Sequence, residues 1–423
     1  MTTFQNQVAV EATIAQAAWG RLFRAAMDVI AGCFARPETR ATAAEMITGL
    51  LAEVDTRNCW TLAEALGHPG PHRLQHLLSR ATFDHDRARE QIARLVVHEL
   101  AGQDVVLVAD ETGDAKSSTG CVGAGRQYSG AIKGVGLCQV AVHLAAVTES
   151  VRVVIDRALY LPKAWAADEE RREATGVPEV IMFATKLQQT AAMVKNALEL
   201  GVQARWFVGD EVYSGRELRM KLREFGLGYA VDVSHASTVT DGAGRRWKAR
   251  QMINKVLSHQ WMRMQTGHGT KGTREHDWAW LDIRADDTPD GHPDGVGVLV
   301  ARRHRYTGET SFYRCWSPGK RHPRGAGGGD LPQMADRGNL PTRQDLHRPR
   351  RGTGDLLELL DALVAVLADR VRRSRAHGRC HDHARPCPTG PSRSPDLPRT
   401  RSFSQGVRSS HHRSGRPTTS CTG

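Results

Sequence analysis

Val105-Val-Leu-Val-Ala-Asp-Glu-Thr-Gly113 runs five small or branched apolar residues straight into two carboxylates. An apolar run this short, bounded by turn residues, reads as a strand buried on both faces. Asp110 then stands at its carboxyl end, where open sheets place their chemistry. The pattern recurs in Arg205-Trp-Phe-Val-Gly-Asp-Glu-Val-Tyr-Ser-Gly215, again an apolar run ending in Asp-Glu. If the two strands lie side by side and parallel, Asp110 and Asp210 face each other at one end of the sheet. Such a pair supplies hard oxygen ligands for a divalent cation such as Mg2+ or Mn2+. The plainer reading is that each Asp caps a following turn or helix. That reading wins for a single Asp; two strands ending in the same dipeptide favour the metal pair.

Working outward, the spacing predicts strands over Gln139–Val147 and Val151–Leu161, joined by a tight turn as an antiparallel meander. Thr185–Leu200 reads as a helix stopped by Gly201, Gly215–Phe225 as a second helix stopped by Gly226, and Gly228–Val233 as a strand. Three strands, helix, strand, helix, strand is the order of a ribonuclease-H-like α/β fold, whose first and fourth strands are neighbours. The Gly-rich run 116–130 lacks the spacing of a phosphate-binding P-loop. It reads as a hairpin loop carrying Lys116 and Arg126 near the site.

Residues 12 to about 100 read as helical. Trp60–Gly67 and His72–Arg80 flank the turn His68-Pro-Gly-Pro71. Helix, tight turn, helix, with Arg73, Gln75 and His76 as polar contacts, is the outline of a DNA-reading helix-turn-helix; a plain helical hairpin fits the stretch equally well. Residues 240–316 hold three short strands, Trp278–Arg284, Gly297–Arg303 and Thr310–Trp316. Before them Thr266–Arg274 reads as a flexible basic loop in which Lys271 and Arg274 suit phosphate contacts; a solvated hairpin tip fits it equally well. The domains expected are therefore 1–100 helical, 101–239 catalytic, 240–318 strand-rich insertion and 319–423 tail.

The net charge is +12 over 423 residues. From Gly319 onward 20 basic residues face 9 acidic, so residues 1–318 carry only +1. Bulk charge is thus poor evidence for nucleic-acid binding by the body of the protein. Eight scattered Cys and no secretory signal point to a reduced, cytoplasmic setting with no membrane partner. After Pro318 the texture becomes Arg-, Pro-, Ser- and Gly-rich, which reads as disordered apart from a possible helix over Leu356–Val371. Cys380-His-Asp-His383 with Cys387 matches no zinc-finger spacing.

Ala109-Asp-Glu-Thr-Gly113, Arg126-Gln-Tyr-Ser-Gly130, Leu159-Tyr-Leu-Pro162 and Gly209-Asp-Glu-Val-Tyr213 together resemble bacterial insertion-sequence transposases of the DDE superfamily, in particular the insertion sequence 701 family. The resemblance covers residues 20 to 318. It implies DNA strand cleavage and strand transfer at the element's terminal inverted repeats, on double-stranded DNA and by a homodimer. Two Mg2+ (or Mn2+) ions would be held by three carboxylates, Asp110 and Asp210 among them. Glu111 and Glu211 would point to the opposite strand face. One departure is that Gly134–Leu137 lacks the polar residues expected before Cys138-Gln139.

The third acid of the family, on a helix within a Trp-x-Ile-Glu-Glu-x-Phe-Gln-like motif, has no match. Codons permitted for Met334–Gln344, read one nucleotide later, can encode Trp-Arg-Ile-Glu-Glu-Thr-Phe-Gln-Gln-Gly. The missing Glu would straddle the codons of Arg337 and Gly338, so the frame slips near Gly319–Lys320. Three functions compete: a transposase inactive for want of its third ligand, a truncated DNA-binding competitor of an active transposase, and an unrelated metal-dependent nuclease.

Overall fold

Capping chemistry sets the first helices. In the computed structural model, residues 19–130, 132–148, 151–269 and 272–318 are described, without the side chains of 264–274. The expected tail, its helix over Leu356–Val371, its Cys/His group and residues 12–18 lie outside these residues. Helix α1 covers residues 19–29. Helix α2 (Pro37–Leu51) opens on a proline, whose fixed φ suits a first turn. Helix α3 (Cys59–Ala65) is closed by Asn58, whose Oδ1 accepts the amides of Trp60 and Thr61 at 2.8 and 3.1 Å. Helix α4 (His72–Ser79) follows Pro71, and Asp84 caps α5 (His85–Glu99). The apolar faces of these helices, including Ile47, Leu62, Leu74 and Ile92, join one core cluster with Leu107 and Ala109.

The sheet then begins with β1 (Val105–Ala115), β2 (Gly125–Ser129), β3 (Gly134–Val147) and β4 (Arg152–Leu159). Short helices α6 (Lys163–Ala166) and α7 (Glu169–Ala174) precede α8 (Lys186–Glu199), which Thr185 caps through a capping box. Strand β5 (Ala204–Gly209), α9 (Arg216–Glu224) and β6 (Gly228–Val233) follow. Gly201 and Gly226, at φ 99° and 74°, end α8 and α9 in the left-handed conformation glycine adopts cheaply. The rest comprises β7 (Thr238–Thr240), β8 (Arg246–Lys248), α10 (Ala249–Ile253), β9 (Met262–Gly269), β10 (Gly272–Ile283), β11 (Val296–His304) and β12 (Thr310–Ser317).

The large sheet runs β2-β3-β1-β5-β6-β12-β11-β10-β9, with β4 also on β3. Strands β1, β5 and β6 are parallel neighbours. Strands β3 and β4 form the expected antiparallel meander on the other side of β1. For the basic run Thr266–Arg274 the hairpin alternative holds: residues on both sides of 270–271 pair as β9–β10. Strand β12 lies antiparallel along β6 and carries the central sheet onward through β11, β10 and β9.

The sheet has two unlike faces. Leu107, Ala109, Phe207, Tyr229 and Val231 pack with α8 and α9 residues such as Val194, Leu218 and Leu222. Val108, Val208, Ala230, Trp278, Tyr313 and Cys315 form a separate cluster whose members among the described residues are all strand residues.

Candidate active site

The parallel register places the carboxylates. Val108 pairs with Val208 and Ala109 with Gly209, and there the β1–β5 ladder ends. On the next strand Val208 pairs with Ala230 and Gly209 with Val231. The residues one step further on are Asp110, Asp210 and Asp232, at one level of three adjacent strands spaced about 4.8 Å apart. Side chains alternate along a strand, so Asp110 lies on the face of Val108, away from α8. Glu111 confirms the alternation: its carboxylate pairs with the Lys186 ammonium at the start of α8, on the helix-bearing face.

Asp110 does not end its strand, as the sequence reading had it. Strand β1 continues to Ala115 because β3 supplies ladder partners for the polar residues, from Asp110↔His143 to Ala115↔Cys138. It is the pairing with β5 that stops. Asp210 does follow the end of β5, and there the capping reading also holds. Its Oδ1 accepts the Val212 amide at 2.9 Å and opens a 3-10 turn, Glu211–Ser214. Glycine precedes it for a packing reason: a Cβ on Gly209 would meet the Tyr213 Cβ at 2.7 Å. Glu211 therefore sits in the turn, exposed, and not on the opposite face of a strand. The Asp110 Oδ1 accepts the Glu111 amide at 2.7 Å.

Four residues on this face were not read from sequence. His143 is the cross-strand neighbour of Asp110, and Arg157 of His143. Asp232 follows Ala230 on β6, opposite Tyr313 of β12. Arg302 of β11 pairs with Ser311 and with Trp278, a member of the same face's cluster. The available signal was a lone polar residue inside an apolar strand, as in Val-Ala-Val-His-Leu-Ala-Ala and Tyr-Ala-Val-Asp-Val.

Burial raises the Asp232 carboxyl to about 6; the Arg302 charge opposes the rise, and Asp210 and Glu211 add to it. The native state thus holds this proton more tightly than the unfolded chain, whose Asp titrates near 3.9. Its contribution is fully present below about pH 4 and is lost as pH rises through about 6. Asp232→Asn should therefore stabilise the protein above pH 6, by about 1–3 kcal/mol in metal-free buffer, and have little effect at pH 4. Thermal melts across pH 4–8 check this; a pH-independent difference would contradict it.

The residues expected to contact DNA are dispersed. Arg73 is half-exposed, with its guanidinium 3.3 Å from both the Glu45 carboxylate and the Thr42 hydroxyl of α2. Gln75 and His76 are exposed on α4. Lys116 lies 3.8 Å from Asp114, six residues past Asp110 and so roughly 20 Å along the strand. Arg126 is exposed on β2 opposite Leu137, at that same far end. Neither reaches the acids. Lys271 and the side chain of Arg274 lie outside the described residues.

The donor chemistry at Asp110 and Asp210 fits a hard divalent cation. The negative field that Asp210 and Glu211 exert on Asp232 is what such an ion would relieve. Among the described residues, no three His, Cys, Asp or Glu side chains gather as a metal cluster.

Fold and site together define an α/β protein with paired carboxylates at the level where its central parallel ladder ends. The chain belongs to the DDE superfamily endonucleases, whose family model matches residues 30–254, just over half of it. A curated relative is "Probable transposase for insertion sequence element IS701" from Microchaete diplosiphon, 24% identical over 187 residues, 44% of this chain. The match takes in 46% of that relative, so the chain spans about half its length. Among solved structures, the NurA nuclease from Sulfolobus solfataricus matches over 60% of this chain and 80% of its own, at 9% identity and a TM-score of 0.29. At that score the likeness carries no argument. No helix among the described residues is long and apolar enough to cross a membrane.

Proposed function

We propose that this chain is the transposase of an insertion sequence, acting on double-stranded DNA at the element's terminal repeats. The observation that carries the reading is the parallel register ending at Ala109–Gly209, which sets Asp110 and Asp210 one residue further on at the same level. The strand order, β4-β3-β1-β5-β6, supports a ribonuclease-H-like core over residues 101–239. On this reading residues 1–100 bind DNA, 240–318 are an insertion, and 319–423 are an out-of-frame tail.

Asp110 and Asp210 would hold Mg2+ or Mn2+. When bound, such ions activate an attacking water or DNA 3′-hydroxyl and stabilise the leaving oxygen. The chain's part is to position. The Glu111 and Val212 amides orient the two carboxylates. On the reverse face the Glu111–Lys186 pair ties β1 to α8 directly behind Asp110. Basic side chains hold the DNA backbone. With the family's third acid missing, this chain binds element ends without cutting them.

Gel shifts test the reading. The full chain should bind duplexes bearing the sequences that flank its own gene as terminal repeats, with affinity falling steeply as salt rises. A chain that ignores such DNA at low salt removes both the transposase and the competitor readings.

A further inference from the structure

The Asp110–Asp210 face presents an electrostatic difficulty. Carboxylates at one level of three adjacent strands repel a polyanionic substrate, and a DNA strand lies on that face only if cations there oppose the repulsion. We propose that Arg302 is the positioning cation of this face, holding a backbone phosphate of the DNA strand beside the acids. The inference rests on the reading proposed above, that the chain binds the DNA ends of its element.

Register places the residue. Tyr313 pairs with Asp232 on one side and with Val300 on the other, and Arg302 lies two residues beyond Val300 on β11. Two strand spacings and two residues put its Cα roughly 12 Å from that of Asp232. Its cross-strand partner Trp278 is buried in the cluster that also holds Val108, Val208 and Ala230. Arg302 therefore stands on the acids' face. The next residue, Arg303, stands on the other, 3.5 Å from the Asp277 carboxylate and with its guanidinium over the Trp261 ring. One arginine is committed to a local ion pair and the other faces the acids.

Burial and chemistry fit a phosphate better than they fit a structural counter-ion. Arg302 is half-buried, and its guanidinium sits 5.6 Å from the centroid of the Tyr313 ring, which restricts its rotamers. A planar guanidinium held this way can present two parallel donors to phosphate oxygens, and partial burial reduces screening by salt. The protein carboxylate whose titration it influences is Asp232. Burial still holds the Asp232 carboxyl above its ordinary range.

The test uses the full chain, a short fluorescent duplex carrying the terminal sequence that flanks its gene, and a set of the same duplex with single methylphosphonates. Arg302→Ala should weaken binding about tenfold and lower the slope of log K against log salt by about one. Arg302→Lys should keep the slope while losing part of the affinity, and Arg303→Ala should leave the slope unchanged. One methylphosphonate should weaken binding by the wild type and by Arg302→Lys but not by Arg302→Ala. Asp232→Asn should tighten binding, because it removes a competing charge; a purely structural Arg302–Asp232 pair predicts instead that both variants only lower Tm. Unchanged slope and affinity in Arg302→Ala, beside a wild type that binds, would overturn this inference alone. A wild type that does not bind the duplex would overturn it together with the reading on which it rests.

Discussion

Asp287→Ala should cost the fold about 3–5 kcal/mol, a large fraction of the stability of an ordinary domain. Asp287 is fully buried in the connection between β10 and β11. Its two oxygens take the Arg219 guanidinium at 2.6 Å and that of Arg223 at 2.7 Å, and Tyr229 donates its hydroxyl to the same carboxylate. Both arginines come from α9, one turn apart, and both are almost wholly buried. Arg223 also donates to the carbonyls of Pro293 and Asp294 and stacks on Trp316. Asp286 adds a 2.6 Å pair with Arg314 of β12. Alanine at 287 leaves two cations buried without their shared partner, and each lacks water to replace it. The network binds α9, which follows the Asp210 turn, to strands that enter the sheet some 60 to 70 residues later. Thermal or urea unfolding of the purified variant measures the loss. A change below about 1 kcal/mol would mean that solvent already reaches the site, contrary to its burial.

The same network marks the limit of sequence reading. The paired strands around Asp110 and Asp210 were legible because a short apolar run bounded by turn residues reads as a buried strand, and its repetition beside an Asp-Glu implied adjacency. Helices α8 and α9 were legible from period and terminal glycines. Asp287, Arg219 and Arg223 were not, because a buried ion cluster is made of residues that in isolation read as a solvated surface. Long-range register was hidden for a similar reason. Nothing local in Thr310–Trp316 announces that this strand lies along β6, although that contact brings Arg302 and Tyr313 onto the face of the acids. The continuation of β1 past Asp110 was missed because polar residues were taken to end a strand, whereas β3 supplies their ladder bonds.

On the proposed function, Asp110 and Asp210 are the cation-holding carboxylates of a strand-cleaving enzyme whose third acid this chain lacks. Two carboxylates hold a divalent ion weakly, and a two-metal site needs a further ligand to fix the second ion. The acids after Pro318 lie outside the described residues. In sequence, Asp330, Asp336 and Asp345 stand among Gly, Pro and Arg. Glu358 and Asp361 stand within an apolar helical pattern and are the substitutes that pattern offers. Mg2+-dependent cleavage of a labelled duplex carrying the element's end should be measured for four proteins. They are this chain, a version whose reading frame is shifted by one nucleotide near codon 319, and that version with Asp110→Asn or Asp210→Asn. No cleavage is expected from the first, cleavage from the second, and a loss of at least about a hundredfold in each Asn variant. Equal activity in the first two proteins, activity in this chain abolished by Glu358→Gln, or undiminished cleavage by either Asn variant would contradict this expectation.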